Sequence, residues 1–144
     1  MFKQSLDDRI SSWAQHRASL DTAVNPLGDT WDFWKNAPYI PYNHNVDPHY
    51  QQSWPNPWEI LEENHYDDFT KTLMIAWTLK LSNRFKNSNI SIHIYVDKDR
   101  HSAYNVVIVD SEWAINLNDG GPVEFSKIPT NLVLENIIEI TKPR

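Results

Sequence analysis

The stretch from Phe69 to Phe85 constrains the fold more than any other part of this chain. Phe69, Leu73, Trp77, Leu81 and Phe85 form an i, i+4 row, and Ile75 and Leu79 widen the apolar surface nearly all round. A helix that is apolar on almost every side has to be buried, so it forms the centre of the domain. Asp67 and Asp68 stand at its start, and Lys80, Arg84 and Lys86 stand near its end. Charges in that order complement the helix dipole. A helix is therefore expected from Asp67 or Asp68 to about Phe85, with Asn87-Ser88-Asn89 ending it.

Strand patterns come directly after it. Ile90, Ile92, Ile94 and Val96 alternate with Ser91, His93 and Tyr95, which is the period of a half-buried strand. Tyr104 to Val109 is a nearly continuous apolar run, expected as a central strand covered on both faces. Trp113, Ile115 and Leu117 give a third strand, and Asn118-Asp119-Gly120-Gly121-Pro122 gives a turn. In the tail a short helical turn is expected near Thr130–Leu134. A strand is then expected through the β-branched Ile137, Ile138 and Ile140.

Ahead of the central helix, residues 3–20 carry Leu6, Ile10, Trp13 and Leu20 near one helical face, with Ser5 or Asp7 as the cap. So narrow a stripe has to dock, either on its own domain or on a partner. Asn25-Pro26-Leu27-Gly28 reads as a turn, leading into a short helix bearing Trp31, Phe33 and Trp34. From Pro38 to Pro57 the chain is dense in Pro, Tyr, Asn and His, which predicts an extended, irregular segment. Tyr39, Ile40, Tyr42, Val46, Tyr50 and Trp54 can all pack, so it is expected as an ordered arm that wraps the core. Pro57 suits the first position of a further helix. The expected fold class is α+β in a single domain, residues 1–144. Residues 1–57 supply the N-terminal helix and arm, and residues 58–144 supply a central helix packed on a small antiparallel sheet.

Composition narrows function by exclusion. A formal charge of −6 without a basic run argues against nucleic-acid binding, which needs clustered Lys and Arg. There is no Cys, so disulfides, thiolate metal sites and cysteine chemistry are excluded. Only three Gly are present and none forms a phosphate-loop fingerprint. The first 20 residues are broken by Asp7, Asp8, Arg9 and Arg17, so neither a signal peptide nor a membrane span is expected.

Four sets of residues invite a chemical reading. His44, Asp47 and His49, with His65 nearby, contain metal-ligating types. Their spacing matches no standard site, and turn formation accounts for them, so no metal or other cofactor is expected. Asp67 and Asp68, with Glu59, Glu62 and Glu63, could form an acid–base pair, but helix capping explains the same residues. Trp54 and Trp58 offer sugar-stacking faces, weighed against packing of a Pro-flanked arm. The surplus aromatics Trp13, Trp31, Trp34, Tyr42, Trp54 and Trp58 are candidates for a protein interface.

The helix-then-meander order resembles the core of transglutaminase-like proteins, relatives of the papain-type cysteine enzymes. That family places a Cys in a Cys-x-Asp-aromatic-small pattern at the helix start, a His in a strand reading roughly His-Ala-Trp-Asn, and an Asp after a Trp-bearing strand. Here Tyr66 falls at the Cys position, with Asp68, Phe69 and Thr70 matching the Asp, aromatic and small positions of that pattern. Ser102 falls at the His position, with Ala103, Tyr104 and Asn105 matching. Trp113 matches the later Trp, and Asn116 or Leu117 falls at the Asp position. The resemblance covers residues 58–118. Every chemical position departs from the family, so it implies a reused scaffold without activity. His101 stands one residue from the expected site, but a one-residue shift on a strand turns a side chain to the other face.

Ile40-Pro41-Tyr42-Asn43, Ser53-Trp54-Pro55-Asn56-Pro57-Trp58-Glu59-Ile60 and Tyr104-Asn105-Val106-Val107 also resemble segments of proteins from tailed marine phages of the cyanophage kind. That resemblance implies a virion component or a host-interaction factor, in the virion or the host cytoplasm. The expected function is a non-enzymatic scaffold contacting other protein subunits, with phage structural proteins as partners and neither nucleic acid nor membrane among them. The alternatives are a hydrolase or metal-dependent enzyme using the Asp/His set, and a soluble factor that binds a host protein.

Overall fold

A computed structural model describes residues 1–143. Among them the chain forms four α-helices and one five-stranded antiparallel sheet, an α+β architecture. The helices are α1 (Leu6–Ser19), α2 (Pro26–Trp34), α3 (Pro57–Glu63) and α4 (Asp68–Lys80). The strands are β1 (Ile90–Asp97), β2 (Ser102–Val109), β3 (Trp113–Ile115), β4 (Val123–Glu124) and β5 (Val133–Glu139), in the spatial order β4-β3-β2-β1-β5.

Each helix start is written in its sequence. The Ser5 hydroxyl accepts from the Asp8 N–H, and Asn25 accepts from the Gly28 N–H with Pro26 in the first turn. Asn25-Pro26-Leu27-Gly28 is thus the opening of α2, not a free turn. An Asn cap before Pro is a helix entry, because the Pro nitrogen occupies a site where no donor is needed. Asn56 and Glu59 form a reciprocal capping box on α3. Asp67 accepts from the Thr70 N–H to start α4.

The central helix ends earlier than its apolar row. Ser82 donates to the Leu79 carbonyl at 2.7 Å and accepts from the Phe85 N–H at 3.1 Å. A hydroxyl that bonds nearby backbone in this way competes with the helical ladder. Leu81 is the C-cap of α4, with its N–H on the Trp77 carbonyl at 2.9 Å, and Phe85 packs from the turn after the helix. Every residue from Thr72 to Leu79 is buried, as a central helix requires.

α4 packs on β1 and β2. Ile90, Ile92, Val107 and Val109 join Leu73, Trp77, Trp13, Trp34 and Ile138 in the main core. On the other sheet face Tyr95, Val106, Ile108, Ala114 and Leu117 form a smaller core, covered by Val123, Phe125, Ile128 and Leu132. Strand alternation thus sends β2 residues into two cores, and the run from Tyr104 is apolar for that reason. In the tail, Phe125–Lys127 forms a single 3-10 turn, and Leu132 closes one more turn on the Pro129 carbonyl. β5 already begins at Val133, so the β-branched residues there decide in favour of strand. No helix among the described residues is long and apolar enough to cross a membrane.

Candidate functional site

The start of α4 is where the catalytic positions of a transglutaminase-like core would meet. The Asp68 carboxylate accepts from the Asn105 side-chain amide at 2.9 Å and from the Asn116 amide at 3.3 Å. Asn116 Nδ2 also donates to Thr72 Oγ1 at 2.9 Å and to the Asn105 carbonyl at 3.0 Å. Thr72 donates back to the Asp68 carbonyl at 2.7 Å. Lys71 Nζ lies 3.7 Å from Asp68 and 5.3 Å from the centre of the Trp31 ring. Asn116 holds a φ of 76°, a left-handed conformation that Asn tolerates better than most residues.

This set joins α4 to β2 and to the end of β3. Chemically it consists of two amides, a hydroxyl and a carboxylate that satisfy one another. Thr72 Oγ1 lies 2.7 Å from the Asp68 carbonyl of the helix and 3.3 Å from the Asn105 carbonyl of β2, and the shorter bond is to the helix backbone. These bonds clamp the helix start to the sheet.

Of the three positions that the resemblance singles out, Asn116 alone joins this polar set. Tyr66 is 1% exposed and packs its ring against Phe2 and Trp34, at 5.7 and 5.6 Å between centroids. Burial pushes its phenol well above the ordinary value, with nearby Arg9 opposing that rise and Glu63 adding to it. Ser102 opens β2 opposite Asp97 and shares its parity with Tyr104 and Val106, on the sheet face turned away from α4. Asp68 and Asn105, not Tyr66 and Ser102, complete the set with Asn116. The signal was parity, since Asn105 lies two and four residues before Val107 and Val109, which face the helix.

The histidines and carboxylates do not converge. No group of three or more metal-ligating side chains is placed to hold a metal ion among the described residues. Asp47 accepts from the His49 N–H at 2.9 Å, Asp67 accepts from the Thr70 and Asn43 N–H groups, and Glu59 belongs to its capping box. Each of these carboxylates serves backbone donors. His44 and His65 are not drawn into any such set, and both are exposed.

Most of the interface candidates lie inside the chain. Trp13 and Trp34 are fully buried, and Trp31 and Trp54 are 6% and 8% exposed. Trp13 Nε1 and Trp34 Nε1 donate to the same acceptor, Thr78 Oγ1 on α4, at 2.8 and 3.0 Å. Thr78 in turn donates to the Met74 carbonyl at 2.6 Å. One hydroxyl thereby uses its hydrogen and both lone pairs, and it locks α1 and α2 onto α4. Trp54 donates its indole N–H to the Asp47 carbonyl. Only Trp58, at 39%, and Tyr42, at 69%, reach the surface. The α1 stripe therefore docks on its own domain.

The surface aromatics belong to the arm. Tyr39, Tyr42 and Tyr50 are 71%, 69% and 57% exposed. The backbone that carries them is tied down at several points. Tyr39 pairs with Tyr66 in an isolated parallel bridge, through Ile40 N–H to the Tyr66 carbonyl at 3.0 Å and Tyr66 N–H to the Pro38 carbonyl at 2.9 Å. The Asn43 N–H donates to Asp67, the side chain that caps α4. Val46, at 1% exposure, and Trp54 anchor the middle and end of the arm in the core. The sequence named Tyr39, Tyr42 and Tyr50 among residues able to pack, and of these only Tyr42 as an interface candidate; all three face outward, because type and position do not reveal which aromatics are buried in an irregular segment. No family model, curated protein or solved structure matches the chain.

Proposed function

We propose that this chain is a non-enzymatic protein-binding component whose tyrosine-bearing arm is its contact surface. The observation that carries this function is the exposure of Tyr39, Tyr42 and Tyr50 on a backbone pinned by the Tyr66 bridge, the Asp67 carboxylate and the Val46 and Trp54 anchors. Tyrosine presents a large amphipathic surface and loses little side-chain entropy on contact. A pinned backbone lowers the ordering cost that a mobile loop would meet on binding. The polar set at the start of α4 supports a non-enzymatic role, because its amides and carboxylate are engaged with one another and its one hydroxyl is engaged by the Asp68 and Asn105 carbonyls. The sequence resemblance to proteins of tailed marine phages supports a virion setting, with phage structural proteins as partners.

Site-specific photo-crosslinking tests the arm. A benzophenone side chain at Tyr42 or Tyr50 is expected to give one stoichiometric protein adduct during infection, and the same group at exposed Lys98 is expected to give none. Equal labelling at Lys98, or no adduct at either tyrosine, overturns the assignment of the arm. Mass spectrometry of purified particles against infected-cell lysate tests the setting separately. Absence from particles removes the virion role and leaves the contact surface standing.

A further inference from the structure

A second concave surface lies away from the arm, between the start of α2, the turn after α4 and the β2–β3 hairpin. It is a groove of about 540 Å³. Leu27 of α2, half-buried Phe85 and the Trp113 indole, which is 39% exposed, give it apolar and aromatic walls. Its charged lining residues are Arg84, Asp110 and Glu112. Arg84 lies over the Phe85 ring at 5.8 Å and donates to the Leu20 and Ala23 carbonyls at 2.9 and 2.7 Å, so its charge faces the negative end of α1. Asp110 and Glu112 form an acidic rim on the hairpin. Asp110 accepts from the Asn89 N–H through one oxygen at 2.7 Å. Glu112 is exposed, and its carboxylate has no hydrogen bond or ion pair among the described residues.

The hairpin turn holds this rim in place. Asp110 and Ser111 both adopt left-handed conformations, with φ of 52° and 57°, the geometry of a tight two-residue turn. That turn leads directly into Glu112 and Trp113, so an open carboxylate and an exposed indole enter the groove from adjacent positions. An aromatic face beside an unpaired carboxylate, with apolar walls behind, complements a cation carried on an apolar body. Ligand pockets in general join apolar walls to a few polar groups in this way.

We infer that this groove is a binding site for an alkylammonium group, seated against Trp113 with its charge toward Glu112 and Asp110. A protein lysine side chain and a small quaternary amine share that chemistry. The test is a titration of the full isotope-labelled chain, read by NMR at the Trp113 indole N–H. Choline and N-acetyl-lysine methylamide are the probes, and 3,3-dimethylbutanol is the neutral counterpart of choline. Saturable shifts confined to the groove are expected for at least one cation, with the neutral alcohol about five-fold weaker or worse. Glu112→Gln, a same-shape change at an exposed position, is expected to weaken the cation by a similar factor. Glu135→Gln on β5 is expected to leave it unchanged. Tighter binding of the lysine compound assigns the source to a protein, and tighter binding of choline assigns it to a small molecule. No saturable shift, equal binding of the neutral alcohol, or a Glu112→Gln chain that binds like the wild type overturns the site.

Discussion

Replacing Thr78 with Val changes almost no volume but removes the acceptor on which two buried indoles converge. In the native chain Trp13 Nε1 and Trp34 Nε1 reach Thr78 Oγ1 at 2.8 and 3.0 Å, and all three residues are fully buried. In Thr78→Val neither indole N–H can turn to water. A buried donor left without a partner costs about 1–3 kcal/mol. Two such donors, partly relieved by small shifts, give a loss of about 3 kcal/mol. For a chain of this size that is a fall in Tm of roughly 10 °C. Thr78→Ser is the control, because it keeps the hydroxyl and loses one methyl group, at about 1 kcal/mol. Urea unfolding monitored by tryptophan fluorescence reads both variants, with equal m-values required for the comparison. The Trp13 and Trp34 indole N–H signals in NMR should shift in Thr78→Val and hold in Thr78→Ser. A Thr78→Val chain as stable as Thr78→Ser would refute the hub, because the indole bonds would then carry no net stabilisation.

Asn116→Ala is expected to lose about 2–3 kcal/mol of stability, combining a buried hydrogen bond with the strain of Ala in a left-handed conformation. Asn116→Gly should recover about 1 kcal/mol of that by relieving the strain alone, and urea midpoints of the two variants separate the contributions. Stability should also fall on acidification. Burial holds His16 and His93 below the ordinary histidine value of 6.5, with Asp29 and Glu139 opposing the shift in turn. The folded state therefore binds fewer protons than the unfolded state, and the stabilisation present above pH 6.5 is lost as pH drops toward the lowered folded values. Urea midpoints should decline from about pH 7.5 to about pH 5, and His16→Gln with His93→Gln should flatten that decline.

The helical row from Phe69, the alternation of β1 and the apolar run in β2 made the α+β class and the central helix legible in the sequence. In α4 and β1 each period marks a face that meets the core, but β1 is buried on both faces, with Ser91, His93 and Tyr95 also covered, rather than half-buried as its alternation suggested. Periodicity misled at Phe85, whose apolar spacing continued past a serine that diverts the backbone. It was silent on β4, which has two residues and no period to show. The resemblance singled out Asn116, which bonds to Asp68 at the start of α4. Tyr66 and Ser102 were placed by motif offset, and offset does not encode which way a side chain leaves its strand or turn. Asp68 and Asn105 meet Asn116 because α4 and β2 pack face to face, which is a tertiary fact.

Packing chemistry also explains why the arm exposes tyrosines while most tryptophans are buried. An indole has one donor and no acceptor, so a single internal oxygen satisfies it and the ring can be buried whole. Thr78 supplies that oxygen to Trp13 and Trp34, and the Asp47 carbonyl supplies it to Trp54. A phenol both donates and accepts and needs more from its surroundings. Tyr66 shows the consequence, since its buried hydroxyl has no partner among the described residues. Tyr39, Tyr42 and Tyr50 instead lie on the surface, where water can serve their hydroxyls. Aromatic count alone pointed to an interface. The supply of internal acceptors decided which aromatics the core absorbed and which the arm presents.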